Sequence, residues 1–257
     1  MPVPWRRPAA DCNQRCPSHS RRNRPNRLLR PPAAELGLAR VNRLLLPLLA
    51  LLVSGAAALN AAPEKWASAI DKLTAADAAK PPAKDSILFA GSSSIVKWTT
   101  LAADFPGKVI LNRGFGGSEL SDLLHYADRI VLPYAPARIV IYSGENDLQQ
   151  GQTPAAVHAT FRALCEKVHA ALPETRIGFI ALKPSPSRTK ILPAVIEANR
   201  LIAAECARDP RRAFIDIYPV MLGADGQPRR EFFVQDMLHL NPAGYAAWRP
   251  LVARFLE

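Results

Sequence analysis

The chain has 257 residues, 49% of them hydrophobic and 21% charged, which is enough apolar material for a full core and excludes a disordered tail or a coiled coil. Its formal charge of +11 would suit a nucleic-acid binder if it were spread over the fold. Residues 1–43, however, hold ten basic and two acidic side chains, net +8, while the other 214 hold 23 and 20, net +3, so the body has no electrostatic case for a nucleic-acid partner.

Residues 1–43 are rich in Arg and Pro and have no apolar periodicity, so they read as a disordered basic extension that cannot offset the entropy of ordering its backbone. From Leu44 to Ala62 there is no charged residue. Arg40 and Arg43 precede the apolar run Leu44–Val53, and the small residues Ser54-Gly55-Ala56-Ala57-Ala58 follow it. A basic start, an apolar middle and an Ala-x-Ala end read as a secretory signal cleaved after Ala58 or Ala61, which predicts a periplasmic or secreted protein. A retained membrane anchor has the same length, but Pro47, Gly55 and Asn60 favour cleavage. A signal of ordinary proportions would begin at Val41, read as an initiator. Arg21-Arg22 stands too far ahead of the apolar run for a twin-arginine signal.

Residues 63–257 are expected to form the folded domain. Apolar runs of strand length (86–90, 109–112, 138–143, 176–182 and 213–217) alternate with segments of helical period (118–130, 154–172 and 191–207), and a last helix spans 242–256. This alternation predicts an α/β fold: a five-stranded parallel sheet with crossover helices on both faces. Ser118 is a candidate N-cap, and Pro154 fits the first turn of its helix. Cys165 and Cys206 fall in helical segments. An oxidising compartment allows them to pair, but nothing in the sequence fixes their separation, which favours two buried free thiols.

In a parallel sheet, ligands bind beyond the carboxyl ends of the strands. The loops expected there carry Gly91-Ser92-Ser93-Ser94, Asn112-Arg113-Gly114-Phe115-Gly116-Gly117, Gly144-Glu145-Asn146-Asp147 and, after the fifth strand, Asp236-Met237-Leu238-His239. The serine run supplies a hydroxyl, a weak nucleophile until a base takes its proton. His239 is the candidate base, because His125, His158 and His169 lie within helical segments and His19 lies ahead of the domain. Asp236, three residues before His239, is spaced to orient the imidazole if the two share a helical turn. The backbone N–H groups of Gly117 and Ser93 and the side-chain amide of Asn146 could stabilise an oxyanion, each such donor being worth about 2.7 to 4 kcal/mol. Taken one at a time, these motifs also read as turns and caps; their recurrence at successive strand ends favours catalysis.

These four blocks, in this order over about residues 84–256, resemble the SGNH (GDSL-type) serine hydrolases. The resemblance implies a flavodoxin-like three-layer α/β/α sandwich, Ser93 as nucleophile, Asp236 and His239 as its partners, and Ser93, Gly117 and Asn146 as the oxyanion hole. It also implies a carboxylic ester substrate, small or borne on a carbohydrate or lipid, and no cofactor. The family's Gly-Asp-Ser is Gly91-Ser92-Ser93 here, and alignment on Gly91 selects Ser93. No G-x-S-x-G elbow, dinucleotide fingerprint, phosphate loop or metal-ligand spacing is present. The loop Lys183–Arg188 reads either as a wall of the substrate cleft or as an ordinary proline-stiffened connection. A catalytically silent glycan- or lipid-binding domain of the same fold is the alternative function.

Overall fold

A computed structural model describes residues 63–79, 81–83 and 86–257; the extension and leader read at 1–62 lie outside the described residues. The five apolar runs form β1 (Ile87–Gly91), β2 (Ile110–Gly114), β3 (Arg138–Tyr142), β4 (Arg176–Ile180) and β5 (Arg212–Ile215). All are parallel, in the order β2-β1-β3-β4-β5. Strand β1 is buried throughout, and β3 and β4 after their first residues, because helices cover both sides of the sheet. The edge strands are only partly buried.

The helices are α1 (Ala67–Ala79), α2 (Ser93–Val96), α3 (Leu101–Asp104), α4 (Leu120–Ile130), α5 (Glu145–Gln149), α6 (Pro154–Ala171), α7 (Leu192–Cys206) and α8 (Pro242–Leu256). The chain steps one way from β1 to β2, then back across β1 to β3, β4 and β5. Right-handed crossovers therefore place α4, α6 and α7 on one face and leave the other to α3 and α8. On the first face α1, α4, α6 and α7 pack in succession, and Phe161 of α6 meets Phe179 of β4 at 4.9 Å between ring centroids. On the second, Phe89 of β1 stacks on Phe105 at 5.8 Å, and Trp248 of α8 packs against Tyr142 of β3 at 5.1 Å. The result is a three-layer α/β/α sandwich whose strand order reverses between β1 and β3, the place where such folds open a crevice.

The differences from the sequence reading have local causes. The strand expected to reach Leu182 ends at Ile180 because Asn199 of α7 takes over the backbone of Leu182, accepting from its N–H at 2.8 Å and donating to its carbonyl at 2.9 Å. The helix expected from Ser118 begins at Leu120. Gly117 holds φ +82°, so the chain is still turning at Ser118. Two carboxylates cap the helix in its place: Asp122 accepts the Glu119 N–H at 2.9 Å and Asp147 accepts the Leu120 N–H at 3.0 Å. Helix α1, absent from the sequence reading, is tied to β2 by Asp77, which pairs with buried Arg113 at 2.5 Å and accepts from the Tyr134 hydroxyl. Cys165 and Cys206 are buried and free; burial pushes both thiols up, Cys206 to about 12. Among the described residues, no helix is long and apolar enough to cross a membrane.

Two expectations about stability follow from this packing. Gly91 has φ +137°, and a Cβ there would sit 2.0 Å from the carbonyl oxygen of Tyr142 on the neighbouring strand. Gly91→Ala is expected to lose about 3 kcal/mol or more, read as a lower Tm or as failure to recover folded protein. Asp147 is raised to about 7, by burial first, against the N–H bond from Leu120 and with help from Glu119 and Asp122. Its carboxyl therefore binds a proton more tightly folded than unfolded, and stability falls as pH rises from the ordinary carboxylate range to about 7. Asp147→Asn keeps an acceptor for Leu120 without the titration. The Tm of the variant relative to wild type is expected to climb between about pH 5 and pH 8, as thermal melts across that range would show.

Candidate active site

Strand β1 delivers Gly91 to the carboxyl edge of the sheet, where the chain bends into the short α2. The Ser92 N–H donates to the Tyr142 carbonyl at 3.0 Å, and the Phe115 N–H donates to the Gly91 carbonyl at 2.9 Å. The hydroxyl of Tyr245, from α8, donates to the Ser94 carbonyl at 2.9 Å, and the Asn112 side chain donates to the Ile95 carbonyl at 2.9 Å. The bend is thus held from three sides. Ser92 and Ser94 are buried, and Ser93 is half-buried.

The hydroxyl that meets a histidine is that of Ser93: its Oγ lies 2.9 Å from His239 Nε2. On the other side of the ring, His239 Nδ1 lies 2.6 Å from Asp236 Oδ2. A carboxylate only accepts, so Nδ1 carries the proton and Nε2 presents its lone pair to the Ser93 hydroxyl. Asp236 and His239 do not share a helical turn, contrary to the expectation from their spacing. They lie in an irregular turn in which Met237 has φ +54° and Asp236 Oδ1 accepts the N–H groups of Leu238 and His239, each at 2.9 Å. The carboxylate folds the turn with one oxygen and meets the imidazole with the other. Partial burial pushes the Asp236 carboxyl up, but the N–H and ring hydrogen bonds of His239 and the N–H of Leu238 outweigh it and hold the group well below the usual carboxylate range.

The same turn is anchored to the loop after β4, where both the N–H and the hydroxyl of Ser187 donate to the Met237 carbonyl at 3.0 Å.

The remaining predicted residues border this point. A Cβ on Gly116 would lie 3.9 Å from that of Ser93, and one on Gly117 would lie 3.3 Å from the Trp66 ring. The Asn146 amide donates to the Ser118 carbonyl at 2.9 Å, which sets it beside the glycine turn and leaves its second N–H for a ligand. Among the described residues, the backbone N–H groups of Ser93 and Gly117 have no protein acceptor. Ser93, Asp236 and His239 are therefore brought into contact, with Gly117 and Asn146 alongside.

Sequence reasoning missed the layer beneath. Fully buried Glu145 accepts from Tyr142 Oη at 2.6 Å, Lys183 Nζ at 2.5 Å and Ser185 Oγ at 2.6 Å, and Arg188 Nη1 stands 3.4 Å away. Burial opposes ionisation of Glu145, but the two cations and the hydrogen bonds hold its carboxyl below the ordinary range. The signal available in the sequence was a charged residue at the end of each of two apolar strand runs, Glu145 and Lys183, a position that demands a buried partner. Trp66 was missed as well. Its indole N–H donates to Asp122 at 2.8 Å and its ring packs edge-on against Phe115 at 5.7 Å.

The other histidines in the described residues stand apart. His158 faces Glu205 at 3.3 Å, His169 faces the Thr175 carbonyl at 3.1 Å, and His125 packs on Tyr126. Among the described residues, no group of three or more His, Cys, Asp or Glu could hold a metal ion. A cavity of about 720 Å³ is lined by Pro186, Thr189 and residues of the 223–231 segment, without Ser93 or His239.

Comparison with known proteins gives a consistent picture. The platelet-activating factor acetylhydrolase IB subunit alpha1 of Homo sapiens is 28% identical over 141 residues, covering 52% of this chain and 58% of that protein; the match spans little more than half of the relative's length. A GDSL-like lipase from Bacteroides thetaiotaomicron superposes with a TM-score of 0.61 at 19% identity, over 76% of this chain and 96% of that one. An acetyl-xylooligosaccharide esterase from Geobacillus Stearmophilus does so with a TM-score of 0.53 at 15% identity, over 68% and 95%. The sequence model of the GDSL-like Lipase/Acylhydrolase family matches residues 85–247, which take in all four motif blocks. The chain belongs to the GDSL-like lipase/acylhydrolase family.

Proposed function

We propose that the protein hydrolyses carboxylic esters through an acyl-enzyme on Ser93. Family membership supports ester hydrolysis as the general chemistry. The observation that carries the serine mechanism is the unbroken contact from Asp236 Oδ2 through His239 to Ser93 Oγ, at 2.6 and 2.9 Å.

His239 Nε2 accepts the Ser93 proton as Oγ attacks the ester carbonyl carbon, and the carbonyl oxygen takes up the displaced electron pair. That oxygen is stabilised by the N–H groups of Ser93 and Gly117 and by the free amide hydrogen of Asn146. These donors are fixed in advance, so little reorganisation accompanies the charge. The Asp236 carboxylate stabilises the imidazolium and keeps its proton on Nδ1. The imidazolium then gives its Nε2 proton to the departing alkoxide, leaving acyl-Ser93. Water attacks the acyl carbon with its proton passing to Nε2, and Ser93 leaves as the restored hydroxyl with the free acid.

We infer short acyl groups, acetyl in particular, borne on a carbohydrate or a lipid. The likeness to a platelet-activating factor acetylhydrolase subunit and to an acetyl-xylooligosaccharide esterase supports this size class. The basic and apolar leader supports export of the domain out of the cytoplasm, which fractionation of cells expressing the full chain would test.

Turnover of p-nitrophenyl acetate by wild type and its loss by at least about 10³-fold in Ser93→Ala is the expected result; equal rates would refute the nucleophile. The pH profile follows from the same contacts. His239 must be neutral to take the proton, and Asp236 stays ionised far into acid. Acidification is therefore expected to lower kcat/KM through one proton, with a limiting slope of one, because Asp236 does not take up a second. A limiting slope of two would mean that Asp236 takes up a proton together with the base, and would refute the ionised couple.

A further inference from the structure

Beyond the nucleophile and its donors, the loop after β4 reaches the centre through Arg188. Its Nη2 donates to Asn146 Oδ1 at 2.9 Å, its Nη1 stands 3.4 Å from Glu145 Oε1, and only 16% of its side-chain surface is exposed. Glu145 is itself immobilised by Tyr142, Lys183 and Ser185. A continuous chain of contacts thus runs from a buried carboxylate, through a guanidinium, to the amide of Asn146.

A side-chain amide has one accepting and one donating end, and rotation by half a turn exchanges them. Turned the wrong way, Asn146 would present its oxygen to the developing oxyanion and repel it. The guanidinium only donates and never loses its charge, so it fixes Oδ1 on its own side and sends the NH2 toward the Ser118 carbonyl and the site beyond. Its charge also draws electron density toward Oδ1, making the amide hydrogens stronger donors.

Resting on the proposed acyl-enzyme reading, we infer that Arg188, held by Glu145, is a positioning residue for the Asn146 oxyanion donor. It acts through the amide and needs no contact with substrate. The loop Lys183–Arg188 then belongs to the catalytic scaffold, and its two prolines serve to keep Ser185 and Arg188 in place on Glu145.

The test is a double-variant cycle on kcat and KM for p-nitrophenyl acetate, with Ser93→Ala run alongside. Arg188→Met is expected to lower kcat by about 10- to 100-fold, the range for a misplaced catalytic group, with KM changed by less than about threefold. Asn146→Ala is expected to lower kcat by about 10²- to 10³-fold. Adding Arg188→Met to Asn146→Ala should then change kcat by less than about threefold, because the amide through which Arg188 acts is gone. An unchanged kcat in Arg188→Met, a rise in KM alone, or the same fold-loss in both backgrounds would each overturn the inference. Should Arg188→Met fail to fold, Arg188→Gln keeps polar bulk but offers an accepting as well as a donating end, so it no longer fixes which way the Asn146 amide faces; the same coupling is expected, and additivity again overturns it. If Ser93→Ala retains wild-type turnover, the nucleophile reading falls and this inference with it. If Ser93→Ala is inactive but the Arg188 cycle is additive, only the role of Arg188 falls.

Discussion

The close approach of β1 to β3 at their carboxyl ends underlies everything else in the molecule. Gly91 lies against the carbonyl of Tyr142 with no room for a side chain, and that carbonyl accepts the Ser92 N–H at 3.0 Å. The strand order reverses at this pair, so the loops after β1 and β3 diverge to opposite sides of the sheet and open a crevice between them. Ser93 stands on one lip and Asn146 on the other. A side chain at Gly91 would separate the two strands and, with them, the two halves of the centre.

The centre is supported from below by polar contacts that are costly to bury and are satisfied by one another. Glu145 opens α5 just beyond β3 and is buried there, where its carboxylate would be strongly destabilised without partners. Tyr142, Lys183 and Ser185 supply them, while Arg188 carries the connection outward to Asn146. Ser187, between Ser185 and Arg188, binds the carbonyl of Met237. One proline-stiffened loop therefore touches both the oxyanion side and the base side of the site. It spans the stretch between them as a rigid strap, which fits the preorganisation that electrostatic catalysis needs.

The glycine turn faces an outer wall built by Trp66. Its ring lies over Gly117 and against Phe115, and its indole N–H is fixed on Asp122. Asp122 also accepts the Glu119 N–H at the start of α4, so the residue that caps the helix also positions the aromatic wall. The segment ahead of β1 is thus joined to the site.

Much of the architecture was legible from local pattern. Runs of apolar residues at strand length and helical period determined the number, type and order of the principal elements, since burial on both faces of a parallel sheet imposes that pattern whatever the partners are. The blocks at Gly91, Gly117, Asn146 and His239 were legible because glycines and short polar residues beyond apolar strands have few other reasons to recur in that order. Contacts between distant residues were not. The non-helical turn at Asp236, the carboxylate caps of α4, the placement of Trp66 and the bonding of Glu145 with Lys183 and Arg188 each depend on which side chains the fold brings within about 3 Å. Residues such as Asp147 and Leu120 or Arg188 and Asn146 are 27 and 42 positions apart, and no periodicity encodes such a pairing. The sequence by itself determined the layers and the chemistry available at their edge; only the packed structure decided which donor meets which acceptor, because hydrogen bonds and buried charges are selected by distance and direction in three dimensions.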